Sequence, residues 1–134
     1  MDTNNKKRLV AIIDDDRIFQ LTATKFMENS GMVSKVLQFP DGEPAIEYIQ
    51  GHLDRPNELP DLLLLDINMP LSDGWMFLED FRQLINKANI RIPIIMVSSS
   101  IDPADLERVR QYPEIAEYVV KPVSSEKWMR ILKI

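Results

Sequence analysis

Four short stretches hold the residue types that could do chemistry together: the run Asp14-Asp15-Asp16, then Asp66, the pair Ser98-Ser99, and Lys121. Several carboxylates gathered in one cleft repel one another and raise their own pKa values, an arrangement that a hard divalent cation with oxygen ligands relieves. Magnesium is the natural candidate, because it keeps several waters, binds few carboxylates and bridges to phosphate oxygens. Phosphoryl transfer asks little covalent work of a protein beyond an in-line nucleophile and fixed positive charge on the equatorial oxygens. Asp66 can be that nucleophile and give an acyl phosphate. Magnesium and Lys121 can neutralise the oxygens, and the Ser98 hydroxyl can donate to a third. Asp14 and Asp15 cannot serve the site identically, since alternate residues of an extended chain point opposite ways, yet both can approach it where a strand turns into a loop.

What must position these groups is a set of strands, because each stretch ends an apolar run. Arg8 to Ile13 is β-branched and continuously apolar after its first residue, as expected of a central strand covered on both faces. Leu62 to Leu65 and Ile94 to Val97 read the same way, with Val36 to Phe39 and Tyr118 to Val120 as weaker strands. Between them run segments of helical period. Phe19, Ala23, Phe26 and Met27 mark a first helix ending before Gly31; Ala45, Ile46, Ile49 and Leu53 a second; Phe77, Leu78, Phe81, Leu84 and Ile85 a third. Asp102-Pro103 opens a fourth, with Leu106 and Val109 turned inward, and Ser124 or Ser125 caps a short fifth carrying Trp128, Ile131 and Leu132. About five βα repeats predict an α/β fold with a parallel sheet and helices on both faces, whose ligands sit outside the carboxyl ends of the strands. Asp54 to Pro60 is a longer connection, not a domain boundary.

Composition excludes other classes. A length of 134 residues fits one domain, 1–134, without a separate output domain, and residues 1–7 are expected to form a flexible N-terminal segment. No apolar run approaches the roughly 18 residues that a membrane span needs, and no secretory core follows the polar start, so a cytoplasmic location without membrane insertion is expected. Without cysteine there is no thiolate nucleophile or zinc knuckle, and the lone His52 is expected at the surface. A net charge of -5 argues against direct binding of nucleic acid, which usually requires a basic face.

The order Ile12-Ile13-Asp14-Asp15-Asp16, Leu63-Leu64-Leu65-Asp66-Ile67-Asn68-Met69-Pro70 with Asp73-Gly74, Ile94-Ile95-Met96-Val97-Ser98-Ser99 and Tyr118-Val119-Val120-Lys121-Pro122 resembles the receiver domain of bacterial response regulators, the family of the chemotaxis response regulator. The resemblance covers almost the whole chain. It implies a flavodoxin-like, doubly wound (βα)5 three-layer sandwich with strand order 2-1-3-4-5. It implies further that Asp66 accepts phosphate from a sensor histidine kinase or histidine phosphotransfer protein, and that the phosphorylated form acts through a downstream protein. Asp15 and Asp66 would be direct magnesium ligands with the backbone carbonyl of Asn68, and Asp14 would act through water. Ser98, with Ser99 beside it, would supply the switch hydroxyl, Lys121 would hold the phosphate, Tyr118 resembles the switch aromatic, and the Lys121-Pro122 bond would be cis, a state X-Pro bonds reach cheaply. The protein would then be a phosphoacceptor switch and not an enzyme beyond its own phosphotransfer and dephosphorylation.

Taken singly, Ser98 reads as a strand-end serine, Lys121 as a solvated lysine and Tyr118 as a core ring; their joint occurrence at successive strand ends carries the inference. Pro113-Glu114-Ile115 stands where many receivers carry small residues including Gly, and Ser72 where a larger apolar residue is common. Two alternatives remain: a haloacid-dehalogenase-like phosphatase using Asp14, which would normally need a further acidic pair late in the chain, and a degenerate receiver that binds partners without phosphate.

Overall fold

The computed structural model describes residues 7–68 and 73–134. Expectations that rest on residues 1–6, Met69, Pro70 and Ser72 lie outside the described residues.

Five parallel strands, β1 (Arg8–Ile13), β2 (Val33–Phe39), β3 (Leu62–Asp66), β4 (Ile94–Ser98) and β5 (Ile115–Val120), form one sheet in the order β2-β1-β3-β4-β5. Five helices, α1 (Arg17–Asn29), α2 (Gly42–Gly51), α3 (Gly74–Ala88), α4 (Pro103–Val109) and α5 (Ser125–Ile131), alternate with them, and Pro56–Glu58 forms a short 3-10 turn in the long connection. This is the flavodoxin-like topology expected.

The central strands are apolar throughout because they are covered on both faces. Ala11, Ile13, Leu63, Leu65, Ile94 and Met96 face one side and pack with Ala45, Ile49, Phe77, Leu78 and Phe81 from α2 and α3. Their sequence neighbours Val10, Ile12, Leu62, Leu64, Ile95 and Val97 face the other and meet Ala23, Met27, Trp128 and Ile131 from α1 and α5. Shifting any of these strands by one residue would exchange the two sets, so the apolar pattern fixes the register.

Capping fixes where the helices begin. Asp16 accepts from the Ile18 and Phe19 amides, Asp73 from Met76, Asp102 from Ala104 and Ser124 from Lys127. At the other end of α3, Asn89 takes the left-handed conformation, φ 56°, that often closes a helix.

Three local expectations need correction. Leu106 does not turn inward: it is 41% exposed, and none of the seven residues of α4 is buried. Instead Val109 packs at the edge of the core and the Arg108 guanidinium lies 4.4 Å from the centre of the Trp75 ring. Leu53 falls beyond the end of α2. Strands β2 and β5 begin earlier than their apolar cores suggested, because polar Ser34, Lys35 and Glu117 occupy edge-strand positions that tolerate them. His52, expected at the surface, reaches it only in part, being half-buried and stacked on Tyr48 with ring centres 3.9 Å apart. The Pro113-Glu114 turn delivers a buried Ile115 into β5, with the Ile115 amide donating to Tyr112 O at 3.0 Å and the Ile94 amide to Glu114 O at 3.0 Å.

Candidate functional site

Register brings the strand ends together. Ile13 lies beside Leu65, Asp66 beside Val97, and Ser98 beside Val120, so Asp14, Asp66, Ser98 and Lys121 emerge at one edge of the sheet. Backbone bonds continue the ladder past the strands: Asp14 N–H donates to Phe39 O at 3.0 Å, Ile67 N–H to Val97 O at 3.2 Å and Lys121 N–H to Ser98 O at 2.8 Å.

Carboxylate oxygens of Asp14, Asp15 and Asp66 all lie within 4.8 Å of one another. Asp14 and Asp66 are buried, whereas Asp15 is exposed at the rim. Asp16 is not a fourth member, since its Oδ1 caps α1 at 3.0 and 3.1 Å. Burial pushes the Asp66 carboxyl up to about 6; the Asn68 backbone N–H on its Oδ1, 3.0 Å away, opposes this, the Asp14 charge and a hydrogen bond with Asp14 reinforce it, and Lys121 opposes it. Carboxylates this crowded, with hard oxygen donors and one open side at Asp15, fit a small divalent cation.

Lys121 does not stand apart from the acids. Its Nζ is 2.9 Å from Asp14 Oδ2 and 3.8 Å from Asp16 Oδ2, and it lies 4.4 Å from the centre of the Phe19 ring. Asp14 is thereby held on both oxygens, since its Oδ1 accepts from the Asp16 amide at 2.8 Å. The Lys121-Pro122 peptide is cis.

Ser98 is 1% exposed and donates to Ser100 O at 2.7 Å, while its Oγ accepts from the Ser100 amide at 3.2 Å and from the Asn68 side-chain amide at 3.4 Å. Tyr118 is half-buried, and its hydroxyl donates to the same Ser100 carbonyl at 3.2 Å. Ser99 is exposed between them and has no hydrogen bond among the described residues.

Two contributors, Phe19 and Gln20, carried no sequence motif, and a third, Gly74, belongs to the Asp73-Gly74 pair. Phe19 reads as one more core residue of α1, yet its ring faces the lysine. Gln20 is buried beneath Asp14; a polar residue at spacing three and seven from Ala23 and Met27 was the available signal. Gly74 lets α3 begin against the end of β3: a Cβ there would stand 2.8 Å from both Asp66 O and Ile67 Cα.

A family model described as the response regulator receiver domain matches residues 10–133. The chain belongs to the response regulator receiver family. Among proteins with similar sequences, a probable methanogenesis regulatory protein of Methanothrix harundinacea is 25% identical over 126 residues, 93% of this chain and 79% of that protein. The probable C4-dicarboxylate response regulator of Bacillus subtilis is 27% identical over 128 residues, 96% of this chain but 52% of that protein. A two-component response regulator from Cytophaga hutchinsonii superposes with a TM-score of 0.84 at 26% identity, over 96% of each chain. The receiver is therefore a phosphoacceptor module of two-component signalling. Receiver domains take phosphate from histidine kinases and bind magnesium at an acidic cluster of the kind formed by Asp14, Asp15 and Asp66. Among the described residues no helix is long and apolar enough to cross a membrane.

Proposed function

We propose that Asp66 is the phosphoacceptor of this receiver and that the protein is a magnesium-dependent switch, charged by a sensor histidine kinase or a histidine phosphotransfer protein. The observation that supports this best is the position of the Asp66 carboxylate at the end of the central strand, with two further carboxylates and Lys121 around it. An Asp66 oxygen attacks phosphorus; the P–N bond to the donor imidazole breaks, the imidazole keeps the electron pair, and an acyl phosphate forms.

Asp15, Asp66 and the Asn68 backbone carbonyl would hold magnesium directly and Asp14 through water; the ion would neutralise charge on the transferred group. Lys121 exchanges its contact with Asp14 for a phosphate oxygen. Ser98 turns its hydroxyl from Ser100 O to another oxygen, and Ser99 exposes its neighbouring backbone to the same group. Tyr118 then settles into a new position, and the altered surface is read by a downstream protein. The receiver would act through a protein partner or as a phosphate relay. A phosphatase attacking through Asp14 is disfavoured, because that carboxylate is buried and engaged on both oxygens.

The test is incubation with magnesium and a small-molecule phosphodonor, followed by intact-mass measurement. Wild type should gain one phosphoryl group and Asp66→Asn none; equal labelling of the two would overturn the assignment.

A further inference from the structure

We propose that Gln20 is a positioning residue for the metal site, holding the peptide that joins Asp14 to Asp15 in the orientation that lets both carboxylates face one ion. The inference rests on the reading of that cluster as a magnesium site.

Gln20 lies on the buried face of α1 and is 6% exposed. Its Nε2 stands 3.1 Å from each of three backbone oxygens, those of Ile12, Asp14 and Phe39. The amide orientation follows from chemistry: turned over, its oxygen would face three carbonyl oxygens, whereas as placed its two hydrogens are shared among them. Among the described residues its buried Oε1 has no hydrogen-bond partner. Such an arrangement costs an unsatisfied acceptor, so a side chain selected only to fill the space beneath β1 would be better apolar.

The three acceptors define what is held. Ile12 belongs to β1, Phe39 ends β2, and the Asp14 carbonyl is the first beyond β1. The Asp14 N–H donates to the same Phe39 oxygen at 3.0 Å, so the Asp14 backbone is fastened on both sides, by β2 on its amide and by Gln20 on its carbonyl. That carbonyl belongs to the peptide plane whose nitrogen is Asp15 N. Asp15 itself is exposed, and its carboxylate makes no hydrogen bond or ion pair among the described residues. The direction of the Asp15 side chain therefore depends on the peptide that Gln20 grips. A cation that demands near-ideal octahedral geometry loses affinity when a ligand is free to swing.

The test measures magnesium binding to the unphosphorylated full chain by titration calorimetry, beside thermal unfolding in chelator and labelling of Asp66 across magnesium concentrations. Gln20→Met, similar in length but without donors, should raise the magnesium midpoint about tenfold, while labelling at saturating magnesium stays within about twofold of wild type. That split distinguishes positioning from bulk support, which would lower the melting temperature and leave the midpoint alone. A midpoint for Gln20→Met within about twofold of wild type would overturn the inference. Should that variant not fold, Gln20→Asn, which keeps the amide but falls one methylene short of the carbonyls, is read by the same criterion. Wild type that takes up no magnesium would overturn the reading of the site and this inference with it; wild type that binds beside an unshifted variant overturns this inference alone.

Discussion

The hydroxyls of Ser98 and Tyr118 meet on one atom, the Ser100 carbonyl oxygen, at 2.7 and 3.2 Å. One residue ends β4 and the other lies in β5, so the shared acceptor ties the buried edge of the site to a half-buried ring near the surface. In the proposed switch the Ser98 hydroxyl would turn to a phosphate oxygen, so that Ser100 would lose a donor and the loop that anchors Tyr118 one of its restraints. Beryllofluoride with magnesium should therefore shift the resonances of both residues. Ser98→Ala should keep labelling of Asp66 but reduce the Tyr118 response; an unresponsive Tyr118 in the wild type would exclude the coupling.

Lys121 neutralises a buried charge in the metal-free protein. The Asp14 side chain is 1% exposed and that of Lys121 16%, so removing the lysine leaves an uncompensated carboxylate. Lys121→Met should destabilise the chain by about 3 kcal/mol in chelator, and Asp14→Asn in the same background should recover much of that loss. Urea unfolding of the single and double variants measures the coupling.

Asp66 gives the fold a defined pH dependence. Its folded pKa, about 6, lies above the ordinary 3.8, so the native state binds the proton more tightly than the unfolded chain. The stabilisation from that proton is complete below the ordinary value and is lost as pH rises through about 6. In chelator, the melting temperature of wild type should fall across this window relative to Asp66→Asn, and the variant should melt higher at neutral pH. Parallel pH profiles for the two proteins would show that Asp66 is not the group responsible. Magnesium should offset the repulsion and raise the wild type more than the variant.

Gly74 tests the packing behind the site. A methyl group there meets backbone on the strand that ends in Asp66, not the yielding end of a side chain. Gly74→Ala should cost about 2 kcal/mol and slow Asp66 labelling by displacing β3, both readable by denaturant midpoint and mass-resolved kinetics. A midpoint equal to wild type would mean that α3 can retreat freely.

The βα order, the stripes of α1, α3 and α5 and the placement of Asp14, Asp15, Asp66, Ser98 and Lys121 at strand ends were legible because each rests on a local rule: apolar runs for strands covered on both sides, period for helices, polar residues where an apolar run stops. Leu106 misled because an apolar residue on a seven-residue helix can face solvent when the helix is held by its ends and by Arg108 on Trp75. Edge strands β2 and β5 were read short because their outer faces are polar and break the pattern that marks the centre of the sheet.

By itself the sequence determined which side chains end each strand, and so which chemistry the sheet edge can support. Only the tertiary structure decided how those groups are engaged: that Asp16 caps a helix instead of joining the acids, that Lys121 rests on Asp14 and Phe19, that Ser98 and Tyr118 share an acceptor, and that Gln20 reaches the carbonyls of Ile12, Asp14 and Phe39. The physical reason is range. Strand and helix periods are set by residues a few positions apart, whereas each of the latter contacts but the Asp16 cap depends on how neighbouring elements settle against one another, with ångström-scale outcomes that no spacing along the chain records.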